Sequence, residues 1–244
     1  MRRLFPDPGP VDPTRLIPET LVGRSHGPRP YLVANFVSSV DGRATVDGGS
    51  TALGDDGDRR IFRSLRGCAD AVLVGTGTLA AEHYGTLARD PAVVAMRARL
   101  GLGAQPPLVT VTRSGQLPSI PLLDDPAASV IVYSGVAPSL GDVAATVHVE
   151  LRDAKGLVLG AVLEHLKAHH GIGLLLCEGG PSILGELVSA GLCDELFLTL
   201  AGTLAGGDGP AIIEGLRLPV PRPVELRWVL GQAESLYLRY ALRA

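Results

Sequence analysis

One stretch of the chain limits its possible folds more than any other, because a buried-strand pattern runs directly into a glycine turn and then a helical pattern. The apolar run at residues 172–177 suits a strand covered on both faces. Glu178-Gly179-Gly180 gives a turn with little side-chain bulk, and Pro181 suits a first helical position. Such a turn presents backbone N–H groups and the positive end of a helix dipole to an anion, for which a dinucleotide pyrophosphate is the natural guest. The alternative is a tight connection whose glycines supply a positive φ.

Composition excludes several classes of partner. With 22 basic against 25 acidic residues and no basic run, no nucleic acid is expected. No apolar stretch reaches bilayer length and the start lacks the apolar core of a secretory signal, so we expect a cytoplasmic protein without membrane contact. Cys68, Cys177 and Cys193 lack metal-ligand spacing and are interpreted as buried free thiols. His169-His170 have no carboxylate at ligand spacing, so they are interpreted as a solvated helix end and no metal is predicted.

The order of patterns along the chain predicts its organisation. Prolines crowd the first 30 residues, which predicts a Pro-rich arm over residues 1–29 without regular structure. The remainder, residues 30–244, is predicted to be a single domain. Apolar strand patterns alternate with helical ones, and alternating patterns at 224–230 and 235–241 close the chain as a hairpin. We therefore expect an α/β fold with a mixed, mostly parallel sheet, helices on both faces and a C-terminal antiparallel hairpin.

A second glycine turn follows the apolar run at residues 71–74. Gly75-Thr76-Gly77-Thr78 fits the start of the dinucleotide fingerprint Gly-x-Gly-x-x-Ala. A Rossmann fold is not favoured, because no acidic residue follows about 20 positions later to hold a ribose hydroxyl. The backbone N–H groups and the two threonine hydroxyls of this turn still suit a phosphate.

A third candidate site lies at the end of the strand pattern that begins at Pro107. Thr112-Arg113-Ser114 places a guanidinium beside a hydroxyl, which suits a phosphate monoester such as the 2′-phosphate of NADP. The alternative is an ordinary turn with a surface arginine.

Six short blocks, in this order, resemble the riboflavin-biosynthesis pyrimidine reductases, the C-terminal reductase domain of the bifunctional deaminase-reductase. The resemblance runs from about residue 30 to the C-terminus. It implies a dihydrofolate-reductase-like fold, a homodimer, and NADPH-dependent reduction of a ribosylaminopyrimidine 5′-phosphate to its ribitylamino form. The blocks are Ala34-Asn35-Phe36-Val37-Ser38-Ser39-Val40-Asp41-Gly42, Leu65-Arg66, Val74-Gly75-Thr76-Gly77-Thr78, Thr112-Arg113-Ser114-Gly115, Glu178-Gly179-Gly180-Pro181 and Asp194-Glu195-Leu196.

The resemblance also implies which residues bind each ligand. Asn35 matches the stand-alone archaeal and fungal reductases, where bacterial bifunctional members carry lysine, and it is expected to face the pyrimidine. The zinc deaminase signature is absent from this sequence, so a reductase alone is expected. By position, cofactor contacts fall on Ser38, Thr78, Glu82 and the turn Gly180-Pro181-Ser182-Ile183-Leu184-Gly185, and substrate contacts fall on Arg66, Arg89 and Glu178.

Two carboxylates are candidates for acid–base work. Hydride transfer to C1 of the ring-opened sugar imine requires a proton from an acid or water, and the family blocks place Asp41 and Glu178 at strand ends. Asp41 has an alternative as a turn former, since Asp-Gly is a common turn pair. Arg66 and Arg89 suit the ribose phosphate, because a guanidinium binds phosphate as a bidentate fork.

A second resemblance leaves the substrate open. Asp58, with Phe62 and Arg63 after it, is similar to the Asp-x-x-x-Phe-Lys/Arg pattern of dihydrofolate reductases, whose carboxylate holds the pteridine ring. A buried carboxylate there would bind an aminopyrimidine edge, whereas the simpler interpretation is an acid at a helix N-terminus. The alternative functions are therefore a dihydrofolate or pteridine reductase and, from another class, a non-catalytic NADPH-binding regulatory protein.

Overall fold

Apolar runs become strands and the patterned segments between them become helices in the computed structural model, which describes residues 1–24, 27–153, 155–215, 218 and 220–242. Within those residues the strands are β1 Arg2–Phe5, β2 Gly9–Pro10, β3 Tyr31–Ser39, β4 Ala71–Leu73, β5 Leu108–Thr112, β6 Ser129–Ser134, β7 Thr146–Leu151, β8 Leu174–Cys177, β9 Glu195–Ala201, β10 Val224–Gln232 and β11 Ser235–Leu242. The helices are α1 Pro13–Leu21, α2 Asp56–Cys68, α3 Thr76–Glu82, α4 Pro91–Arg99, α5 Leu159–His170 and α6 Pro181–Ser189, with a 3-10 turn at Pro121–Asp124.

These elements form two compact units. Unit 1 comprises Met1–Thr20, Leu32–Leu65 and Cys177–Ala244, and unit 2 comprises Leu21–Tyr31 and Arg66–Leu176. In unit 1 the strand order is β2-β1-β10-β11-β9-β3. Strands β3 and β9 are parallel, while the pairs β9/β11, β11/β10, β10/β1 and β1/β2 are antiparallel. The predicted mixed sheet with a C-terminal hairpin is confirmed.

The N-terminal segment does not match its prediction. Residues 1–29 were expected to lack regular structure, yet they contain β1, β2 and α1. Strand β1 pairs with β10, which is distant in sequence, and no local sequence pattern predicts this pairing. Helix α1 begins at Pro13, where proline's fixed φ suits the first turn, and its Ile17 is fully buried. The expectation was therefore wrong because long-range pairing outweighs local propensity.

A buried ion pair fixes the hairpin of unit 1. Arg239 on β11 donates two hydrogen bonds to the carboxylate of Glu195 on β9, at 2.7 and 2.9 Å, and its side chain is 4% exposed. A third donation, 2.6 Å long, reaches the hydroxyl of Thr20 on α1. The guanidinium carbon also lies 5.2 Å from the ring centroid of Phe197. Removing either charge would leave the other buried and uncompensated, which is strongly destabilising.

Unit 2 is built on parallel strands in the order β8-β4-β5-β6-β7, and the pairs β4/β5, β5/β6 and β6/β7 are parallel. Helix α4 was not predicted, although Asp90 gives it a standard N-cap by accepting from Ala92 N at 2.9 Å. Its Arg97 is only 1% exposed and donates to the carbonyl oxygens of Arg66, Ala69 and Gly103 at 2.6–2.8 Å. Arg97 thus holds the backbone that carries Arg66.

The three cysteines are buried free thiols, as predicted. Burial raises the pKa of the Cys177 thiol to about 12, so it is protonated and unreactive at neutral pH. Within the described residues, none of the helices combines the length and apolar character that a membrane crossing requires.

Candidate active site

In unit 1, one face of the β3/β9 pair carries candidate substrate contacts. The two strands are parallel with Asn35 opposite Phe197 and Val37 opposite Thr199, so the side chains of these residues lie on the same face. Helix α2 brings Asp58 to this face, where the Thr199 hydroxyl donates to its Oδ1 at 2.6 Å. Strand and helix therefore bring Asn35 and Asp58 to one face, as their expected roles require.

Asn35 has an unsatisfied acceptor. Its Oδ1 is buried and accepts no hydrogen bond from any described part of the chain. A buried amide oxygen without a donor costs free energy, so such groups in native proteins call for an explanation. A ligand N–H group would satisfy it.

The carboxylate of Asp58 lies in an unfavourable environment. Burial raises the pKa of Asp58 above its ordinary value, and the negative charge of Asp55 adds to the rise, against the hydrogen bond from Thr199. Oδ2 lies against Gly54, where a Cβ would stand 2.9 Å away. The simpler interpretation of an acid at a helix N-terminus does not account for this burial, because such an acid is normally solvated.

Ser38 lies on the same strand as Asn35, but its side chain is on the opposite face of the sheet. Strand alternation directs its side chain to the side opposite Asn35, and it is 6% exposed. Its hydroxyl donates to the carbonyl of Ser39 at 2.9 Å. The structure therefore does not place Ser38 beside Asn35.

Asp41 fastens two loops of unit 1 together. Its Oδ1 accepts from the Ser39 hydroxyl at 2.7 Å and from Ala205 N at 2.9 Å, and its Oδ2 accepts from Gly206 N at 2.7 Å. These hydrogen bonds, of which that from Ala205 contributes most, hold the pKa of Asp41 far below its ordinary value. A carboxylate held ionised in this way is a poor proton donor. The geometry favours the alternative in which Asp41 is a turn former.

The loop that follows Asp41 is also hydrogen-bonded to the loop at residues 205–210. Arg43 donates from Nη1 to the Gly209 carbonyl at 2.8 Å, and Ala44 N donates to the Pro210 carbonyl at 2.8 Å.

The glycine turn between β8 and α6 has the predicted form, with Gly180 as N-cap and Pro181 as the first helical residue. Gly179 has φ +123°, which glycine alone adopts easily, so backbone conformation explains that residue. Gly180 has φ −86° and is joined to Gly179 by a cis peptide bond. No side chain caps α6. The start of the helix is therefore suited to an external acceptor.

Glu178, before these glycines, is half-buried. Among the cofactor contacts expected after the glycines, Ser182 is exposed and Ile183 is half-buried, whereas the side chain of Leu184 is fully buried. Leu184 can therefore reach a ligand only through its backbone.

In unit 2, the turn after β4 opens α3. Gly75 is its N-cap without a side-chain cap, and Thr76 and Thr78 are half-exposed. Gly77 is exposed, and a Cβ there would meet nothing within 4 Å. Glu82, the last residue of α3, is half-buried. The turn thus leaves open space at Gly77, and no packing constraint within the described residues explains that glycine.

The Thr112-Arg113-Ser114 segment makes turn contacts of its own. Thr112 is buried and donates to the Gln116 carbonyl at 3.2 Å, and the Ser114 hydroxyl accepts from Gln116 N at 3.3 Å. Arg113 is exposed. Both the turn interpretation and the phosphate clamp remain compatible with this arrangement, because the guanidinium is accessible.

The two expected phosphate-binding arginines meet at one segment of unit 2. Arg66 donates to the Leu87 carbonyl at 2.9 Å, and its guanidinium carbon lies 5.7 Å from the Tyr84 ring centroid. Arg89 is exposed, and its guanidinium lies where a Cβ on Gly85 would project. Residues 84–87 thus gather both cations, which suits one phosphate group.

Sequence reasoning missed two contributors. Thr199 was not identified from the sequence, although its hydroxyl donates a hydrogen bond to Asp58. Tyr84 falls outside the quoted blocks, yet its ring flanks Arg66. A threonine between two leucines of β9 was the available signal for Thr199, whereas Tyr84 had no such signal.

The RibD C-terminal domain family model matches residues 30–236. The chain is 30% identical over 194 residues to the 2,5-diamino-6-ribosylamino-4(3H)-pyrimidinone 5′-phosphate reductase of Methanothermobacter thermautotrophicus, covering 77% of this chain and 85% of that protein. It is 28% identical over 192 residues to the reductase of the same name from Archaeoglobus fulgidus, covering 77% and 87%. The fold is similar to the crystal structure of a pyrimidine reductase-like protein from Corynebacterium diphtheriae, with TM-score 0.75 at 21% identity over 96% of this chain and 100% of that one.

Proposed function

The chain belongs to the RibD C-terminal domain family, and from that premise we propose that it is an NADPH-dependent reductase that converts 2,5-diamino-6-ribosylamino-4(3H)-pyrimidinone 5′-phosphate to its ribitylamino form. The substrate is the one that the names of the two archaeal relatives print. The observation that carries the proposal is that an unsatisfied Asn35 oxygen and the half-buried Asp58 carboxylate lie on one face of unit 1. Both groups accept hydrogen bonds, and an aminopyrimidine edge is rich in donors.

The Asp58 carboxylate also favours the diamino pyrimidine, rather than its deaminated form, as the substrate. A 2-amino group and the adjacent ring N–H are two neighbouring donors, which match a carboxylate. In the corresponding uracil the 2-amino group is replaced by a carbonyl oxygen, which would face the carboxylate as acceptor against acceptor. A binding site strongly rejects a ligand that would leave one of its buried polar groups without a hydrogen-bond partner. We therefore expect this chain to prefer the diamino substrate.

The candidate site residues have separable proposed roles. When bound, NADPH supplies a hydride to the substrate. Glu178, half-buried at the end of β8, is the carboxyl group that we assign to proton supply or to polarising the substrate. Asp41 is assigned to holding the two loops of unit 1, because its three hydrogen bonds keep it ionised. Arg66 and Arg89 are assigned to the 5′-phosphate.

The cofactor assignment rests on groups within each unit. In unit 1 the start of α6, which no described side chain caps, and its N-cap Gly180 support contact with a pyrophosphate. In unit 2 the exposed guanidinium of Arg113 supports recognition of a 2′-phosphate, which would select NADPH over NADH. Ser38, Thr78 and Glu82 are assigned to the cofactor by the resemblance alone, as is the homodimer.

A comparison of three substrates, each assayed separately, tests the proposal. The purified protein is given NADPH with the diamino phosphate, the deaminated uracil phosphate or dihydrofolate, and kcat/KM is measured for each by the loss of NADPH absorbance. We expect turnover of the diamino phosphate with the highest kcat/KM. A higher value for dihydrofolate would make the chain a pteridine reductase. NADPH binding without turnover of any of the three would instead indicate the regulatory alternative.

A further inference from the structure

A cluster of metal-ligating side chains lies in unit 2 among residues that the proposed reaction does not use. Glu150 on β7 faces two histidines of α5: its Oε1 is 3.2 Å from Nε2 of His170, and its Oε2 is 3.8 Å from Nε2 of His165. One ligand atom from each of the three lies within 4.8 Å of the other two. The three side chains are 16–26% exposed. The expectation that His170 ends a solvated helix without a carboxylate partner is therefore wrong.

A fourth residue orients one of the rings. The hydroxyl of Tyr133, itself fully buried on β6, is 2.8 Å from Nδ1 of His165. If Nδ1–H donates to this oxygen, the tautomer is fixed and the Nε2 lone pair points toward Glu150. Ligating histidines in proteins commonly donate their second N–H in this way.

The local charges both favour and oppose a cation. His170 is the last residue of α5, where the negative end of the helix dipole favours positive charge. Against it, Nη2 of Arg152 lies 3.1 Å from Oε2 of Glu150 and competes for the carboxylate. His169 stacks on His165 with ring centroids 4.2 Å apart, and the ring of His148 lies 6.4 Å from that of His170.

We propose that Glu150, His165 and His170 form a site for a borderline divalent ion of the Zn²⁺ class. Two imidazoles and one carboxylate are ligands that Zn²⁺ accepts, and a water molecule completes a tetrahedron. Among the described residues, strand β7 is the last strand in the order of unit 2 and pairs with β6 alone, so its second edge has no neighbouring strand there. The ion ties this edge strand to the C-terminal half of α5 and acts as a structural clasp.

The alternative is a hydrogen-bonded ion-pair network with no metal. The variant Arg152→Gln distinguishes this network from a metal site. In a network, Arg152→Gln removes an attractive partner of Glu150 and lowers the melting temperature both with and without Zn²⁺. In a metal site the same change frees the carboxylate oxygen, so the affinity for Zn²⁺ rises.

Calorimetric titration of the metal-free full chain with Zn²⁺ tests the proposal. We expect one site per chain, and a loss of affinity on the order of 100-fold for Glu150→Gln and His170→Gln, since even outer partners of metal ligands cost 10–100-fold. His83→Gln, which removes an exposed histidine elsewhere in unit 2, is the matched control and should bind as the parent does. The melting temperature should rise with Zn²⁺ in the parent, in the control and in Arg152→Gln, but not in the two ligand variants.

Three results would overturn the assignment: no binding at micromolar Zn²⁺, equal affinity in the parent and both ligand variants, or weaker binding in Arg152→Gln than in the parent. Circular dichroism of the variants before titration verifies that each is folded, so a loss of binding reports on the ligands.

Discussion

Replacing Asp58 with asparagine should separate the recognition of the pyrimidine from the stability of the fold. The amide keeps the size of the carboxylate, and its Oδ1 can still accept from Thr199 at the present 2.6 Å. The NH2 group of the asparagine side chain would then present N–H donors to a substrate edge that also presents donors. A hydrogen bond to a charged group contributes about 1.5–3 kcal/mol, so kcat/KM for the diamino phosphate should fall by about ten- to hundredfold. The deaminated uracil, with an acceptor at that position, should be affected much less.

The same substitution should stabilise the folded chain at neutral pH. Burial raises the pKa of Asp58, so the folded state binds its proton more tightly than the unfolded state does. Stability therefore falls as pH rises from the unfolded pKa toward the raised folded one, and the penalty is fully present above both values. Asparagine carries no such penalty. Asp58→Asn should melt higher than the parent at pH 7, and the difference should shrink as pH falls toward the unfolded value of 3.8.

Two assays check these expectations. Steady-state kinetics with both pyrimidines give the ratio of their kcat/KM values, and thermal melts across pH give the stability difference. Asp56→Asn, an exposed acid in the same first turn of α2, is the matched control. Equal loss of kcat/KM for the two pyrimidines would refute the role in recognition. A lower melting temperature than the parent at neutral pH would refute the reasoning from burial.

Three further changes test other contacts. Arg113→Ala should weaken NADPH binding by about ten- to hundredfold and leave NADH unchanged, and an equal loss for both cofactors in fluorescence titration would show that the 2′-phosphate clamp is wrongly assigned. Gly180→Val, checked for folding by circular dichroism, should lose the rise in melting temperature that NADPH gives the parent; a folded variant that retains the rise would exclude the pyrophosphate contact. Glu195→Gln should lower the free energy of unfolding by about 3–5 kcal/mol because Arg239 is left buried without its partner, and a loss below about 1 kcal/mol in urea denaturation would contradict this.

Strands and turns with strong local signals could be predicted from the sequence. Apolar runs became strands such as β4 and β8, and the glycine turn led into α6 with Pro181 first. Each of these signals is local: side-chain hydrophobicity, proline's fixed φ, or glycine's access to positive φ. The conformation of Gly179 and the caps of α6 follow from the same residues.

Features that depend on distant partners could not be predicted. The first residues form β1 because β10 lies beside them, although their prolines argue against a strand. Asp41 appeared as a possible acid until its contacts with residues 205 and 206, far along the chain, showed it held ionised. Glu150 and His170 are 20 positions apart, a spacing with no ligand signature. Long-range packing decides these cases, and one sequence contains no trace of it.

Transfer of a labelled hydride tests the central claim most directly. The protein is incubated with NADPH carrying deuterium at the transferred position of its nicotinamide and with 2,5-diamino-6-ribosylamino-4(3H)-pyrimidinone 5′-phosphate, and the product is examined by mass spectrometry and NMR. The account predicts a ribitylamino product with one deuterium, located at C1 of the former ribose. A substrate recovered unchanged while NADPH is bound, or deuterium found on the pyrimidine ring, would contradict it.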